Sequence, residues 1–294
     1  MVDVFRYPAL ASEAEINETI FNIANKYRGA RARSIGETVC ERQIYAVEIG
    51  NMNNPAIFVG GTHGMEWAST LVTLKLCAEA CEEYNVTLRD ALSRRGAVFV
   101  PLLNPDGFEL RRRGRAAAAA RARALSRFPD ADFAFWQSNS RGVDLNRNFD
   151  ASFWEARRAA AEYGVKGASP TRFGGPFPFS ERETRAIKKA IAMYRPRTLY
   201  ALHSQGEEIY WRYADRMPKE SRYIAEVLSA LSGYKLCDPE TVALGAGLKD
   251  WFIKKYNRPG FTIELGLGKN PLPYCDFDEI YQKVRRMLFV ALII

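Results

Sequence analysis

The stretch PAIFVGGTHGMEWASTLVTLKLCAEACEEY, residues 55–84, decides the fold. Its first seven residues, PAIFVGG, are apolar and close on a glycine pair, the pattern of a buried strand that ends in a tight turn. From Glu66 to Tyr84 the apolar residues return at helical spacing. This is a strand, turn and helix unit.

The same alternation runs outward from it. Upstream, Ser12 with Glu15 forms a capping-box signature for a helix through about Lys26, and short alternating runs at 32–39 and 43–49 read as strands. Downstream, AVFVPLL (97–103) is a second buried strand, followed by a long irregular section from Asn104 to about Pro178. Ser180 with Glu183 predicts a capped helix to about Tyr194, and TLYALHS (198–204) returns as a strand. Helices near 218–232, 247–256 and 277–293, with strands near 234–237 and at FTIEL (261–265), complete the chain. Such alternation implies a mixed, largely parallel sheet covered by helices on both faces. With no repeat and no Pro/Gly/Ser linker, residues 1–294 are expected to form one domain.

Composition excludes several classes. At 294 residues, 47% hydrophobic and 26% charged, the chain is a folded protein rather than a disordered, collagenous or disulfide-stapled one. Its five cysteines are odd in number and lack a CxxC pair, so reduced, mostly buried thiols are expected. The N-terminus lacks the basic head and apolar stretch of a secretory signal, which points to the cytoplasm. The terminal MLFVALII is far short of the ~20 residues a membrane helix needs, so no membrane partner is expected. The net charge of +8 is local: residues 111–127 carry seven arginines and no acid, leaving +1 for the rest. An Arg/Ala-rich insertion at about 111–135 reads as an exposed helix or mobile loop. A rim that attracts anions and a nucleic-acid contact are its alternatives. Without interleaved aromatics or a recognised binding module, no nucleic-acid partner is expected.

In a sheet of this kind, ligands bind beyond the carboxyl ends of the strands. The only two histidines lie there. His63, in Thr62-His63-Gly64-Met65-Glu66, ends one strand with Glu66 starting the following helix, and His203 ends another. Two histidines and a carboxylate make the three-ligand set of a catalytic zinc, whose fourth position takes a water and lowers its pKa to about 7. Glu264 lies in the otherwise buried strand FTIEL, where an acid is costly unless paired or functional, and it could take the proton of that water. Each residue also has a structural reading: a hydrogen-bonded strand-end histidine, Glu66 as a favourable charge at a helix N-terminus, Glu264 in an ion pair. Their coincidence favours the metal.

The motifs together resemble the zinc metallocarboxypeptidases of the carboxypeptidase A type. The resemblance covers about Asn53 to the C-terminus and rests on His63 and Glu66, Asn104-Pro105-Asp106-Gly107, the run Gly142-Val143-Asp144-Leu145-Asn146-Arg147-Asn148-Phe149, Pro178-Phe179-Ser180-Glu181, His203 and Glu264. It implies a three-layer α/β/α sandwich around a mixed, mostly eight-stranded sheet. It also implies one Zn2+ held by His63, Glu66 and His203, with Glu264 as general base and then acid. Asn146 and Arg147 would hold a substrate carboxylate, a role that suits the planar guanidinium fork. Asp144 would orient a ligating histidine, whereas Asp106 is expected to cap a loop.

Some positions depart from the family. Met65 stands where pancreatic enzymes carry arginine, and by spacing from Asp250-Trp251 their mobile tyrosine reads Val242, so a pancreatic-type substrate is not expected. The oxyanion arginine's position reads Gln137, and Arg141 beside it is the candidate donor. Trp136–Asp144, His203–Trp211, Lys249–Phe252, Arg258–Glu264 and Asn270–Pro273 resemble the bacterial branch that includes γ-D-glutamyl-diaminopimelate peptidases. Lys249 falls where the family reads the substrate side chain, and a cation there would favour an acidic group. The expected activity is hydrolysis of an amide next to a carboxylate-bearing residue, by a carboxypeptidase or a γ-D-glutamyl-diaminopimelate peptidase acting on small cell-wall peptides. The rivals are a zinc amidoacylase or esterase acting on N-acyl amino acids, an inactive peptidase fold that serves as a binding module, and a nucleic-acid binder using 111–127.

Overall fold

The computed structural model describes residues 2–84, 86–117, 125–126, 128–238 and 245–294. The elements in chain order are α1 (Glu13–Lys26), β1 (Ala30–Glu37), β2 (Gln43–Ile49), β3 (Ala56–Val59), α2 (Trp67–Glu83), α3 (Arg89–Arg94), β4 (Ala97–Val100) and α4 (Pro105–Arg113). There follow α5 (Phe153–Glu162), α6 (Arg182–Tyr194), β5 (Thr198–His203), β6 (Glu208–Tyr210), α7 (Ser221–Ser232), β7 (Lys235–Cys237), α8 (Leu248–Tyr256), β8 (Gly260–Glu264) and α9 (Phe277–Ala291). The strands form one eight-stranded sheet in the order β1-β2-β4-β3-β5-β8-β6-β7. The central run β4-β3-β5-β8 is parallel, while β1, β2 and β6 pair antiparallel with β2, β4 and β8 respectively.

Alternation along the strands builds two cores. Phe99, Phe58, Tyr200 and Phe261 are register neighbours on one face and stack in a row, with ring centroids 5.4, 4.8 and 5.3 Å apart. They bury against apolar residues of α1, α2, α7 and α9. Ile57, Val59, Val98, Leu199 and Ala201 face the other way, against α6 and α8. The result is the α/β/α sandwich that the sequence implies. The apolar end of the chain closes α9 on the first core through Met287, Leu288, Ala291 and Leu292.

Several expectations need correction. The 104–178 section is not irregular throughout, because α4 and α5 lie within it. Asn104 caps α4 by accepting from the Gly107 N–H at 2.8 Å, with Pro105 in the first turn, and α5 buries Phe153, Ala156 and Ala160 along one stripe. Ser180 does not cap α6; its hydroxyl donates to Glu181 Oε1 at 2.7 Å, and Glu181 occupies the capping position. The Arg/Ala-rich insertion is anchored where it is described: Arg111–Arg113 end α4, and Leu110, Ala117, Leu125 and Trp136 form a small core with Phe128, Ala131 and Phe133 against it. Residues 118–124 and 127 of that insertion lie outside the described residues. Of the five cysteines, Cys77 and Cys81 are buried, Cys40 and Cys237 are half-buried and Cys275 is exposed, so fewer are buried than the sequence leads one to expect. Among the described residues, no helix is long and apolar enough to cross a membrane.

Candidate metal centre

β3 ends at Val59, one strand away from β8, with β5 between them. Beyond Val59 the chain turns sharply through Gly60 and Gly61 to bring the first turn of α2 close. A Cβ on Gly60 would lie 2.4 Å from the Ser69 carbonyl oxygen. The loop that follows is clamped from outside. Gly64 donates to the Gln137 carbonyl at 3.1 Å, and a Cβ there would sit 2.4 Å from the Gly107 carbonyl oxygen and 2.8 Å from that of Trp136. The Asn104 amide fixes the same loop by donating to Thr62 O at 3.1 Å and Ser138 O at 3.3 Å.

This framework gathers His63, Glu66 and His203, all buried, with their ligand atoms within 4.8 Å of one another. Glu66 occupies the capping position of α2 but makes no cap hydrogen bond. Instead Oε1 lies 2.8 Å from His63 Nδ1 and Oε2 lies 3.0 Å from His203 Nδ1. The two Nδ1 atoms are 3.3 Å apart. His63 Nε2 lies 3.1 Å from Asp144 Oδ1, a contact that needs the proton on Nε2 and leaves a lone pair on Nδ1. With the proton on the far nitrogen of each ring, two imidazole lone pairs and a carboxylate would face one another and call for a cation between them. Tetrahedral zinc with ligand bonds of roughly 2.0–2.1 Å spaces its donors about 3.3 Å apart, so the donor set fits.

Electrostatics agree with that need for positive charge. Burial disfavours the His63 imidazolium, yet the Glu66 and Asp144 carboxylates overcome it and push its pKa up to about 10. Burial likewise opposes ionisation of Glu66 and Asp144, but facing histidines hold both down at about 2. Asp144 is further fixed by N–H groups of Asn146 and Arg172, each at 3.1 Å.

Glu264 is the last residue of β8 and the register partner of His203. Burial, and then the nearby Glu66 charge, raises its carboxyl well above the usual range; His63 acts in the opposite direction and Glu208 adds to the rise. Asn146 turns its Oδ1 to the Leu248 N–H at 3.1 Å, at the start of α8, which leaves its own amide N–H groups with no acceptor among the described residues. Arg147 Nε stands 3.6 Å from Asp144 Oδ2, so one ionic network joins the guanidinium to the His63 partner.

Two expectations change here. Arg141 turns away to Glu181, with Nε 3.6 Å from Oε2, while Gln137 brings Nε2 to 3.2 Å from His63 Nε2. Lys249 is not a free cation: it is buried, donates to the Arg212 carbonyl at 2.7 Å and pairs with Asp250 at 2.5 Å. Asp106 ties a loop together, accepting from Thr38, Arg42, Ser140 and the Cys40 N–H, as expected for a structural residue. Val242 lies outside the described residues. Sequence reasoning missed Glu208, which sits directly opposite Glu264 on β6 and accepts from the Tyr210 hydroxyl at 2.8 Å. A three-residue strand gives no periodicity by which to find it.

Comparison with known proteins agrees with this geometry. The zinc carboxypeptidase family pattern matches residues 16–287. A Bacillus subtilis protein described as uncharacterized protein YqgT is 32% identical over 292 residues, 95% of this chain and 76% of that one. Gamma-D-glutamyl-L-diamino acid endopeptidase 1 of Lysinibacillus sphaericus is 31% identical over 286 residues, 93% of this chain and 70% of that one. The solved carboxypeptidase A of Helicoverpa armigera has the same fold, with a TM-score of 0.74 at 18% identity over 96% of this chain and 72% of its own. The chain belongs to the zinc carboxypeptidase family.

Proposed function

We propose that the protein is a zinc peptidase that hydrolyses the amide between a γ-D-glutamyl residue and a diamino acid in small cell-wall peptides. The convergence of His63, Glu66 and His203 beside Glu264 carries this reading. His63, Glu66 and His203 would hold the ion. When bound, zinc supplies Lewis-acid chemistry, polarising a carbonyl and acidifying a water to a pKa of about 7.

Glu264 takes the proton of the attacking water as its oxygen adds to the amide carbon and the carbonyl pair moves onto the carbonyl oxygen. The C–N bond then breaks, and Glu264 returns the proton to the leaving nitrogen. As a carboxylate, Glu264 can accept the water's proton, and as the resulting acid it can hand that proton on. Asn146 and Arg147 would orient the substrate through a carboxylate.

Charge beside Glu264 supports a diamino acid after the scissile bond. Lys249 is already matched to Asp250, whereas Glu208 has no ion pair among the described residues and is complementary to a second ammonium. The relative named as an endopeptidase for γ-D-glutamyl-L-diamino acids supports the same class. The five cysteines form no disulfide among the described residues, which suits the reducing cytoplasm as the working compartment.

The test is zinc stoichiometry together with turnover of a γ-D-Glu-diaminopimelate peptide beside hippuryl and N-acyl amino acid substrates. Near one zinc per chain and preferential cleavage of the γ-glutamyl bond are expected. A chain without zinc, or one indifferent to chelation, sinks the proposal.

A further inference from the structure

We propose that the side-chain amide of Gln137, oriented by Thr171, is the donor that stabilises the oxyanion, in place of Arg141. The inference rests on the zinc-peptidase reading and adds a residue to it.

Both ends of the Gln137 side chain are accounted for. Oε1 accepts from the Thr171 hydroxyl at 2.5 Å, and in this orientation the NH2 group faces the metal centre. Nε2 lies 3.2 and 3.3 Å from the two ring nitrogens of His63. Neither nitrogen is available as an acceptor when the site is loaded: Nε2 carries the proton facing Asp144, and Nδ1 belongs to the metal-binding set. The amide therefore keeps N–H groups without an acceptor at the edge of the centre. A carbonyl oxygen that gains charge as water adds to its carbon supplies one.

The backbone around Gln137 is preorganised as such a donor requires. Its N–H donates to Pro170 O at 3.1 Å and its carbonyl accepts from Gly64, inside the metal-binding loop, at 3.1 Å. Donor and ligands are thus joined through one main-chain contact. Arg141, four residues on, is paired with the buried Glu181 instead. A neutral amide bonded to an oxyanion still forms a charge-assisted hydrogen bond, although it brings no charge of its own.

Gln137→Ala is expected to lower kcat by about 100-fold or more with KM changed little, in line with loss of one oxyanion donor. Zinc content and affinity should stay at the parent level. Thr171→Val should weaken kcat in the same direction by freeing the amide to rotate, and Thr171→Ser should restore it. A second readout does not need turnover. A phosphinic dipeptide analogue, tetrahedral at the reacting centre, should lose affinity for Gln137→Ala by a similar factor, while a simple carboxylate product should bind both proteins alike. The inference is overturned if Gln137→Ala keeps kcat within about threefold, if it loses zinc in parallel with activity, or if Arg141→Ala causes the large kcat drop instead. Should the parent cleave none of the peptides, the peptidase reading fails by that result, and the phosphinate comparison still decides the role of Gln137.

Discussion

His203 and Glu264 are paired in register as the last residues of adjacent parallel strands, β5 and β8. A proposed ligand and the proposed base are thereby set side by side by the sheet itself, without help from a flexible loop. Their backbones are held one strand spacing apart, about 4.8 Å.

That arrangement separates metal binding from proton transfer. Glu264→Gln should retain about one zinc per chain and lose turnover by roughly 10²–10⁴-fold, the usual contribution of a general base. Metal analysis and steady-state kinetics on the same preparation read both. Full activity in this variant would remove Glu264 from the mechanism.

Asp144 Oδ1 faces His63 Nε2 at 3.1 Å and is proposed to orient the ring, so Asp144→Asn should weaken zinc affinity by about 10–100-fold. Competition with a chromogenic chelator measures it. Unchanged affinity would mean that His63 is oriented by its packing alone.

Arg147 is proposed to receive a substrate carboxylate. Replacement by Met should raise KM for substrates with a free carboxylate and leave their amidated counterparts almost unchanged, with a difference of about 1.5–3 kcal/mol, as for a hydrogen bond to a charged group. Equal losses on both substrates would place the carboxylate elsewhere.

Glu183 offers a pH signature away from the metal. It is buried near Glu181 and Asn139, and burial followed by the Glu181 charge pushes its pKa up to about 8. The folded state then binds this proton more tightly than the unfolded chain, whose carboxyl titrates near 4.5. Its contribution to stability is complete below about pH 4.5 and is lost as the pH rises to about 8, by an amount on the order of a few kcal/mol. Glu183→Gln should flatten that slope, so denaturant melts at pH 5 and pH 8 should differ less in the variant than in the parent. An equal difference in both proteins would show that Glu183 is ionised throughout.

Much of the layout was legible because it rests on periodicity. Ser12 and Glu15 form the predicted capping box, and PAIFVGG, AVFVPLL, TLYALHS and FTIEL mark the four parallel central strands. His63, Glu66 and His203 were legible from the sequence, and the structure brings them together, although β3 stops at Val59 and His63 lies in the turn beyond it rather than at the strand end. What escaped depends on tertiary partners. Lys249 looks like a free cation until Asp250 and the Arg212 carbonyl are seen against it. Arg141 has the donor chemistry of an oxyanion residue, but the buried Glu181, 40 positions away in sequence, captures it. Gln137 stood at the family's oxyanion position in the sequence, but its contacts to Thr171 on one side and His63 on the other are tertiary.

Gly64 has no room for a side chain, because the carbonyls of Gly107 and Trp136 close over it. The segments that carry the ligands, the first turn of α4 and the Gln137 loop are therefore keyed into one another like tenon and mortise. Such a joint does not loosen by degrees: on heating, release of metal and collapse of the surrounding structure should coincide as one cooperative event, with no warm, folded, metal-free stage before it.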